Sequence, residues 1–418
     1  MTIDRIDNMI EKAVFGPSVG EKETARKEIR DLASSQGIHL ASIQGLYEAA
    51  ARGEYSNKTV PAINIRGITY QVARTIFKTA QKLKAGAFIF EIARTEMAYT
   101  DQPPQEYVVS ILAAAIKEGY TGPVFVQGDH FQFNKKKYDA DYDAELNTLK
   151  NATKDAISAG FLNIDIDSST LVVLDRPTLN EQQKDNYTVA ANMTQYIRGM
   201  QPDGVTISVG GEIGEVGKTN TTVEELRAYM DGYNKLIGKD TQGISKISVQ
   251  TGTTHGGLVL PDGSIADVKL DFNTIRELGK VAREEYGVGG IVQHGASTLP
   301  DDMFDLFPEA NTLEVHLATG YQNTIYDSVH FPKDLLNTMH AYITDTYGDE
   351  KKDEDTQEQF IYKTRKKGWG GIKEETWHLP EENMAGIMQE LEDQFTMVFK
   401  RLNAVDTVDL VNKYVSRP

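Results

Sequence analysis

The chain contains no cysteine. Disulfides and thiolate metal sites are excluded, so a transition metal would have to be held by His, Asp and Glu. Positive charge is also scarce: 44 Lys and Arg stand against 61 Asp and Glu, a formal net charge of −17. Non-specific attraction to nucleic acid or to an anionic membrane depends on an excess of Lys and Arg, so neither partner is expected. Apolar runs long enough to cross a bilayer are missing, and the start MTIDRIDNMIEKAVFG lacks the basic-then-apolar layout of a signal peptide. A cytoplasmic location follows as an expectation. What the sequence does have is 418 residues with 40% hydrophobic and 25% charged content, the profile of a soluble globular chain with a sizeable core.

Residues 1–55 read as short polar helices forming a helical extension, with SVGEKETARKEIRDLASSQG giving a helix stopped by Gly37. From Val60 the pattern changes to short apolar runs, each followed by a Gly, Asp or Thr loop and then a segment of helical period. The expected strands are VPAINI at 60–65, AFIFEI at 87–92, PVFVQ at 123–127, LNIDID at 162–167, VTISVGGE at 205–212, SKISVQT at 245–251, GIVQH at 290–294 and TLEVHLA at 312–318. Strands alternating with helices imply parallel pairing, and eight such units predict an α/β fold, a closed (β/α)8 TIM barrel, over 56–330. An open doubly wound sheet is the alternative. Residues 331–418 are read as C-terminal helices packed on the barrel, the longest from Glu381 to Asn403 with one apolar face. The run GDEKKDEDTQEQ is read as a solvated loop. The basic KTRKKG that follows either reaches a neighbouring subunit's site or is a solvated face.

In a barrel, chemistry collects where strands run into the following helices. Four of the eight histidines fall in or just beyond expected strand ends: His130, His255, His294 and His316. Glu212 closes the fifth strand. Imidazoles from different strands and one carboxylate could converge on a divalent cation. Each histidine alone reads better as an ordinary hydrogen-bonded residue, and the grouping carries the signal. The loops HGG at 255–257 and HGAST at 294–298 could present N–H groups and hydroxyls to an anion.

These residues resemble the class II, metal-dependent ketose-bisphosphate aldolases. The resemblance rests on VPAINI, on GDH after the third strand, on FLNIDIDSS, GGEIGEVG, GTTHGG and QHGAST in that order, and on the closing LEDQFTMVFKRLNAVD. It implies His130, Glu212, His255 and His294 as ligands of a divalent metal, typically zinc, and Asp129 as the acid/base at the C4 hydroxyl. It implies Gly256, Gly257, Gly295 and Ser297, with Thr319, as phosphate contacts, Asp167 as support near the site, and Asn64 as a polar substrate contact. It further implies a phosphorylated sugar as substrate and a homodimer or larger homo-oligomer. The activity expected is reversible cleavage of a ketose such as fructose 1,6-bisphosphate into dihydroxyacetone phosphate and an aldehyde.

The chain departs from the family pattern in three places. The loop after Glu212 lacks the usual acidic cluster, with Glu215, Glu224 or Glu225 as the substitute. The last strand carries His316 and Ala318 where Asn and Asp are usual, leaving His316 as a substrate contact or a donor behind the metal site. FEIARTEMAYT brings Glu91, Arg94 and Glu96 to the end of the second strand, where Glu91 and Arg94 read as a rim ion pair. These features look closer to longer relatives, so a ketohexose-phosphate 4-epimerase and a non-catalytic tagatose-bisphosphate aldolase accessory subunit stand as alternatives.

Overall fold

The computed structural model describes residues 4–213, 219–252 and 270–416. Nine strands run in chain order: β1 (His39–Leu40), β2 (Val60–Asn64), β3 (Ile89–Ala93), β4 (Pro123–Gln132), β5 (Asn163–Asp167), β6 (Ser208–Glu212), β7 (Lys246–Ser248), β8 (Ile291–Gln293) and β9 (Glu314–Leu317). β2 to β9 pair in parallel, each with the next, and β9 pairs back onto β2, for example Ala62 with His316, closing an eight-stranded (β/α)8 barrel. All eight expected strands are found, and the open-sheet alternative is overturned by the β9–β2 pairing. The short β1, within the segment read as helical, lies parallel to the start of β4.

The strands are short and apolar on the side that meets the helices, because in a parallel barrel both faces are covered. Phe77, Phe88, Phe90, Tyr120 and Phe399 join β3 to the helix Thr69–Leu83 and to the long helix Glu381–Arg401, with Phe88 and Phe399 ring centroids 5.7 Å apart. The helices between strands start where the sequence signals it: Thr178 with Glu181 and Thr222 with Glu225 form capping boxes that satisfy otherwise orphaned N–H groups. The helix Gln44–Ala51 packs Ile43, Leu46 and Tyr47 against Val60, Ile89, Phe125 and Leu313 in a second apolar cluster at the N-terminal end of the strands. The barrel floor is thus plugged from outside its repeat, and the opposite end is left for chemistry.

The lumen above that plug is not apolar. Glu91, Gln127, Asp165, Lys246, Glu314 and His316 are all buried within it. Lys246 Nζ donates to Gln127 Oε1 at 2.7 Å, Asp165 Oδ2 at 2.9 Å and Glu314 Oε1 at 2.5 Å, and the Tyr47 hydroxyl donates to the other Glu314 oxygen. Burial alone would raise Glu314, but Lys246 and His316 hold it well below the usual carboxylate range.

Candidate functional site

The pair Asp129–His130 shows how a local irregularity builds the site. Successive residues of a regular strand point to opposite faces, so an Asp and a His in tandem could not both enter a lumen. β4 avoids this with a bulge. Gln127 pairs with Asn163 and Gly128 with Ile164, but the next pairs are Phe131 with Ile166 and Gln132 with Asp167, so Asp129 and His130 together oppose the single residue Asp165. His130 takes the left-handed conformation at φ 42°, uncommon outside glycine, and such strain concentrates at functional sites. Gly128 is required by the same turn, since a Cβ there would lie 2.2 Å from the Phe131 ring.

The two side chains open into a cavity of about 700 Å3 at the C-terminal end of the strands. His130 Nδ1 lies 3.3 Å from Asp167 Oδ2 and 3.4 Å from Glu212 Oε2, and its Nε2 lies 3.6 Å from Asp129 Oδ1. His294 lies between two other imidazoles, tilted against His130 with ring centroids 4.3 Å apart and edge-on to His316 at 4.2 Å, and its Nε2 is 3.0 Å from Ser248 Oγ. Burial would lower the His130 pKa, yet the carboxylates of Asp129 and Glu212 keep it well above the imidazole norm. Burial and the neighbouring Asp167 push Glu212 up to about 7, against the opposing pull of His130. Imidazoles and carboxylates crowded this closely, the carboxylates raising the pKa of His130 and Asp167 raising that of Glu212, are a donor set suited to a divalent cation. Potential ligand atoms of Asp129, His130 and His294 lie within 4.8 Å of one another, as do those of His130, Asp167 and Glu212. The residues present fit the metal that the sequence implied.

Three of the four expected ligands, His130, Glu212 and His294, line this cavity with Asp129 and Asp167. Asp167 takes 2.6 Å and 3.1 Å hydrogen bonds from the hydroxyl and N–H of Ser169 as well as contacting His130. Burial would raise it, and His130, with the smaller help of the Ser169 bonds, holds it below the carboxylate norm. Asn64 also lines the cavity, its Nδ2 donating to Glu96 Oε2 at 2.6 Å. Gly295, in the left-handed conformation at φ 72°, Ser297 and Thr319 meet on one rim, where Gly320 N–H donates to Ser297 Oγ at 3.1 Å. His316 lines the same cavity and is buried, as Asp129 and His294 are: Nδ1 is 3.0 Å from Glu91 Oε2 and 3.2 Å from Asp129 Oδ1, and Nε2 is 2.6 Å from Glu314 Oε1. His255, Gly256, Gly257 and Glu215 lie outside the described residues.

Two expectations are corrected. Glu91 is no partner of Arg94 at the rim; it sits inside the barrel, bonded to His316 and to Gln127 Nε2, which donates at 3.2 Å. The basic KTRKKG segment does not form only a solvated face, because Lys363 and Lys366 line the mouth of the same chain's cavity, beside Tyr362 and Arg66. Arg365 pins that segment, donating to Asp327 Oδ1 at 2.7 Å and Asn323 Oδ1 at 2.5 Å. Glu91, Asp165, Lys246 and Glu314 were missed as site residues. For Glu91, Asp165 and Glu314 the signal was an ionisable residue between two apolar ones in a doubly buried strand, as in FEI, IDI and LEV, while Lys246, which follows Ser245, carried no such signal.

The family model for class II fructose-bisphosphate aldolases matches residues 41–376, most of the chain. The chain belongs to the class II fructose-bisphosphate aldolase family. No curated protein matches it by sequence. Among solved structures similar to it are the fructose-bisphosphate aldolase of Campylobacter jejuni, with TM-score 0.53, 15% identity and coverage of 88% of this chain and 97% of that one, and the YdjI aldolase of Escherichia coli K12, with TM-score 0.51, 12% identity and coverage of 88% and 99%. The fructuronate-tagaturonate epimerase UxaE of Cohnella laeviribosi is similar with TM-score 0.59, 13% identity and coverage of 88% and 84%. At these identities the likeness shows the barrel fold alone. Members of the aldolase family are typically dependent on a divalent metal, in keeping with the donor set of this chain. No described helix is long and apolar enough to cross a membrane.

Proposed function

We propose that this member of the family is a metal-dependent enzyme that reversibly cleaves the C3–C4 bond of a ketose phosphate such as fructose 1,6-bisphosphate, giving dihydroxyacetone phosphate and an aldehyde. The observation that carries the reading is the β4 bulge, which turns a carboxylate, Asp129, and an imidazole, His130, into one cavity beside Glu212 and His294. His130, Glu212 and His294, with His255 from outside the described residues, would hold the metal, most simply zinc. A divalent cation there supplies Lewis acidity that stabilises negative charge developing next to the C2 carbonyl.

The chain's own groups do the rest. Asp129 accepts the proton of the C4 hydroxyl as the bond breaks and returns it in condensation. Its nearest imidazoles, His130 and His316, keep its carboxylate oriented into the cavity. Gly295, Ser297 and Thr319 offer backbone and hydroxyl groups to a phosphate, and Lys363 and Lys366 give the mouth positive charge. A non-catalytic accessory role is disfavoured by how much of the machinery is assembled. One structural neighbour is named an epimerase, and inversion at C4 can begin with the same cleavage.

The test is a coupled assay of metal-loaded protein with fructose 1,6-bisphosphate, following triose release with and without a chelator and in Asp129→Ala. Chelator-sensitive release that falls about 10²- to 10⁴-fold in the variant is expected. Absence of release from protein holding stoichiometric metal refutes the reading for this substrate.

A further inference from the structure

Glu91 is fully buried, yet it lines the floor of the cavity. One oxygen is engaged, bonded to His316 Nδ1 at 3.0 Å and accepting from Gln127 Nε2 at 3.2 Å. The other, Oε1, has no hydrogen-bond partner among the described residues. A buried polar atom left unpaired is costly, and such an atom at a cavity floor is accounted for by a ligand group that pairs with it. Burial and the charge of Asp129 push this carboxyl up to about 8, against the opposing charge of His316, so it takes up a proton more readily than an ordinary carboxyl.

Its position relative to Asp129 is specific. Asp129 pairs with Ala93 in the β3–β4 register, and Glu91 lies two residues deeper on the same strand as Ala93. His316 Nδ1 is within hydrogen-bond reach of both carboxyls, 3.2 Å from Asp129 and 3.0 Å from Glu91. The cavity therefore offers two acid/base groups at two depths, joined by one imidazole nitrogen. Two carboxyls in unlike environments are a common way of dividing acid and base roles.

We propose that Glu91 is a second catalytic acid/base that serves the C4 oxygen after the aldehyde has turned over, so that the site inverts C4 as well as cleaving the C3–C4 bond. The inference rests on the cleavage reading above. Asp129 accepts the C4 hydroxyl proton, the C3–C4 bond breaks, and its electron pair stays with the C1–C3 fragment as an enediolate while C4 becomes an aldehyde carbon. Rotation about the C4–C5 bond moves the aldehyde oxygen from Asp129 down to Glu91. C3 then attacks the other face of C4, the bond re-forms, and Glu91 gives its proton to the new C4 alkoxide. One proton has been gained by Asp129 and one lost by Glu91, and the hydrogen bonds of both to His316 Nδ1 provide the path for its return. No oxidant or reductant is needed. The substrate class is a ketose with a C4 hydroxyl and an anionic end, and the product is its C4 epimer.

The test incubates metal-loaded wild type, Glu91→Gln and Glu91→Asp separately with fructose 1,6-bisphosphate and with fructuronate, and measures the C4 epimer and the released aldehyde by NMR. Glu91→Gln keeps the shape and hydrogen bonding of a neutral carboxyl, and Glu91→Asp keeps the acid but withdraws it; near-UV circular dichroism and metal content check that each is folded. Wild type is expected to form the epimer of at least one probe, and both variants to lower the epimer-to-aldehyde ratio by about 10²-fold, the scale of one general acid. Loss of packing alone would not move that ratio. Aldehyde without epimer from wild type, or an unchanged ratio in folded variants, overturns the role of Glu91 and leaves cleavage standing. Neither product from wild type overturns both.

Discussion

Lys246→Met is the sharpest test of the idea that a charged lumen holds this barrel together. The ammonium is wholly buried and donates to three acceptors, of which Asp165 and Glu314 are carboxylates at 2.9 Å and 2.5 Å. Methionine fills a similar volume but removes the ammonium from both carboxylates, leaving His316 to offset their charge, and breaking a buried ion pair in this one-sided way costs about 3–5 kcal/mol. Over 418 residues the unfolding entropy is about 0.9 kcal/mol/K, so the midpoint should fall by about 3–6 °C. The pH dependence gives a second readout. In wild type the folded pKa of Glu314 is depressed, so its stabilisation is present at neutral pH and lost as pH falls through that value. Without Lys246 the carboxyl should bind a proton more readily in the fold, and the deficit of the variant should narrow as pH is lowered towards about 5. Urea unfolding at several pH values measures both, with Lys246→Met/Glu314→Gln expected to recover part of the loss. A loss below about 1 kcal/mol, or a deficit independent of pH, would refute the argument.

Three further outcomes are expected. Arg365→Ala should free the segment that carries Tyr362, Lys363 and Lys366 from Asp327 and Asn323; if these groups hold substrate, KM rises about tenfold while kcat changes little, and an unchanged KM would detach the segment from binding. His130→Ala should reduce the metal bound per chain after dialysis, read by elemental analysis, and retained stoichiometric metal would remove His130 from the ligand set. Gly67→Ala should destabilise by about 1–3 kcal/mol in thermal melts, because the added Cβ would meet the buried Trp369 ring at 2.1 Å.

The eight strands were legible because each is a short apolar run between turn signals, and the parallel pairing followed from the helices between them. Asp129, His130, Glu212 and His294 were legible because strand ends carry the chemistry of a barrel, and the family resemblance ordered them. The inner layer was harder to read. In sequence Glu91 reads as a rim residue because its neighbour Arg94 offers a simpler partner than His316, which is over two hundred residues away. Lys246 passed as an ordinary lysine in SKIS, since nothing local says that Asp165 and Glu314 will be its neighbours.

By itself the sequence determined the repeat of strand and helix, the exclusion of thiolate chemistry and the set of groups able to hold a cation, because these depend on residue type and local period. Only the tertiary structure decided that β4 bulges so that Asp129 and His130 face the same way, that a C-terminal segment lines the mouth, and that Glu91, Asp165, Lys246, Glu314 and His316 meet within the barrel. Those features arise from pairing register and from contacts between distant strands, and strand closure brings together residues that no local pattern relates.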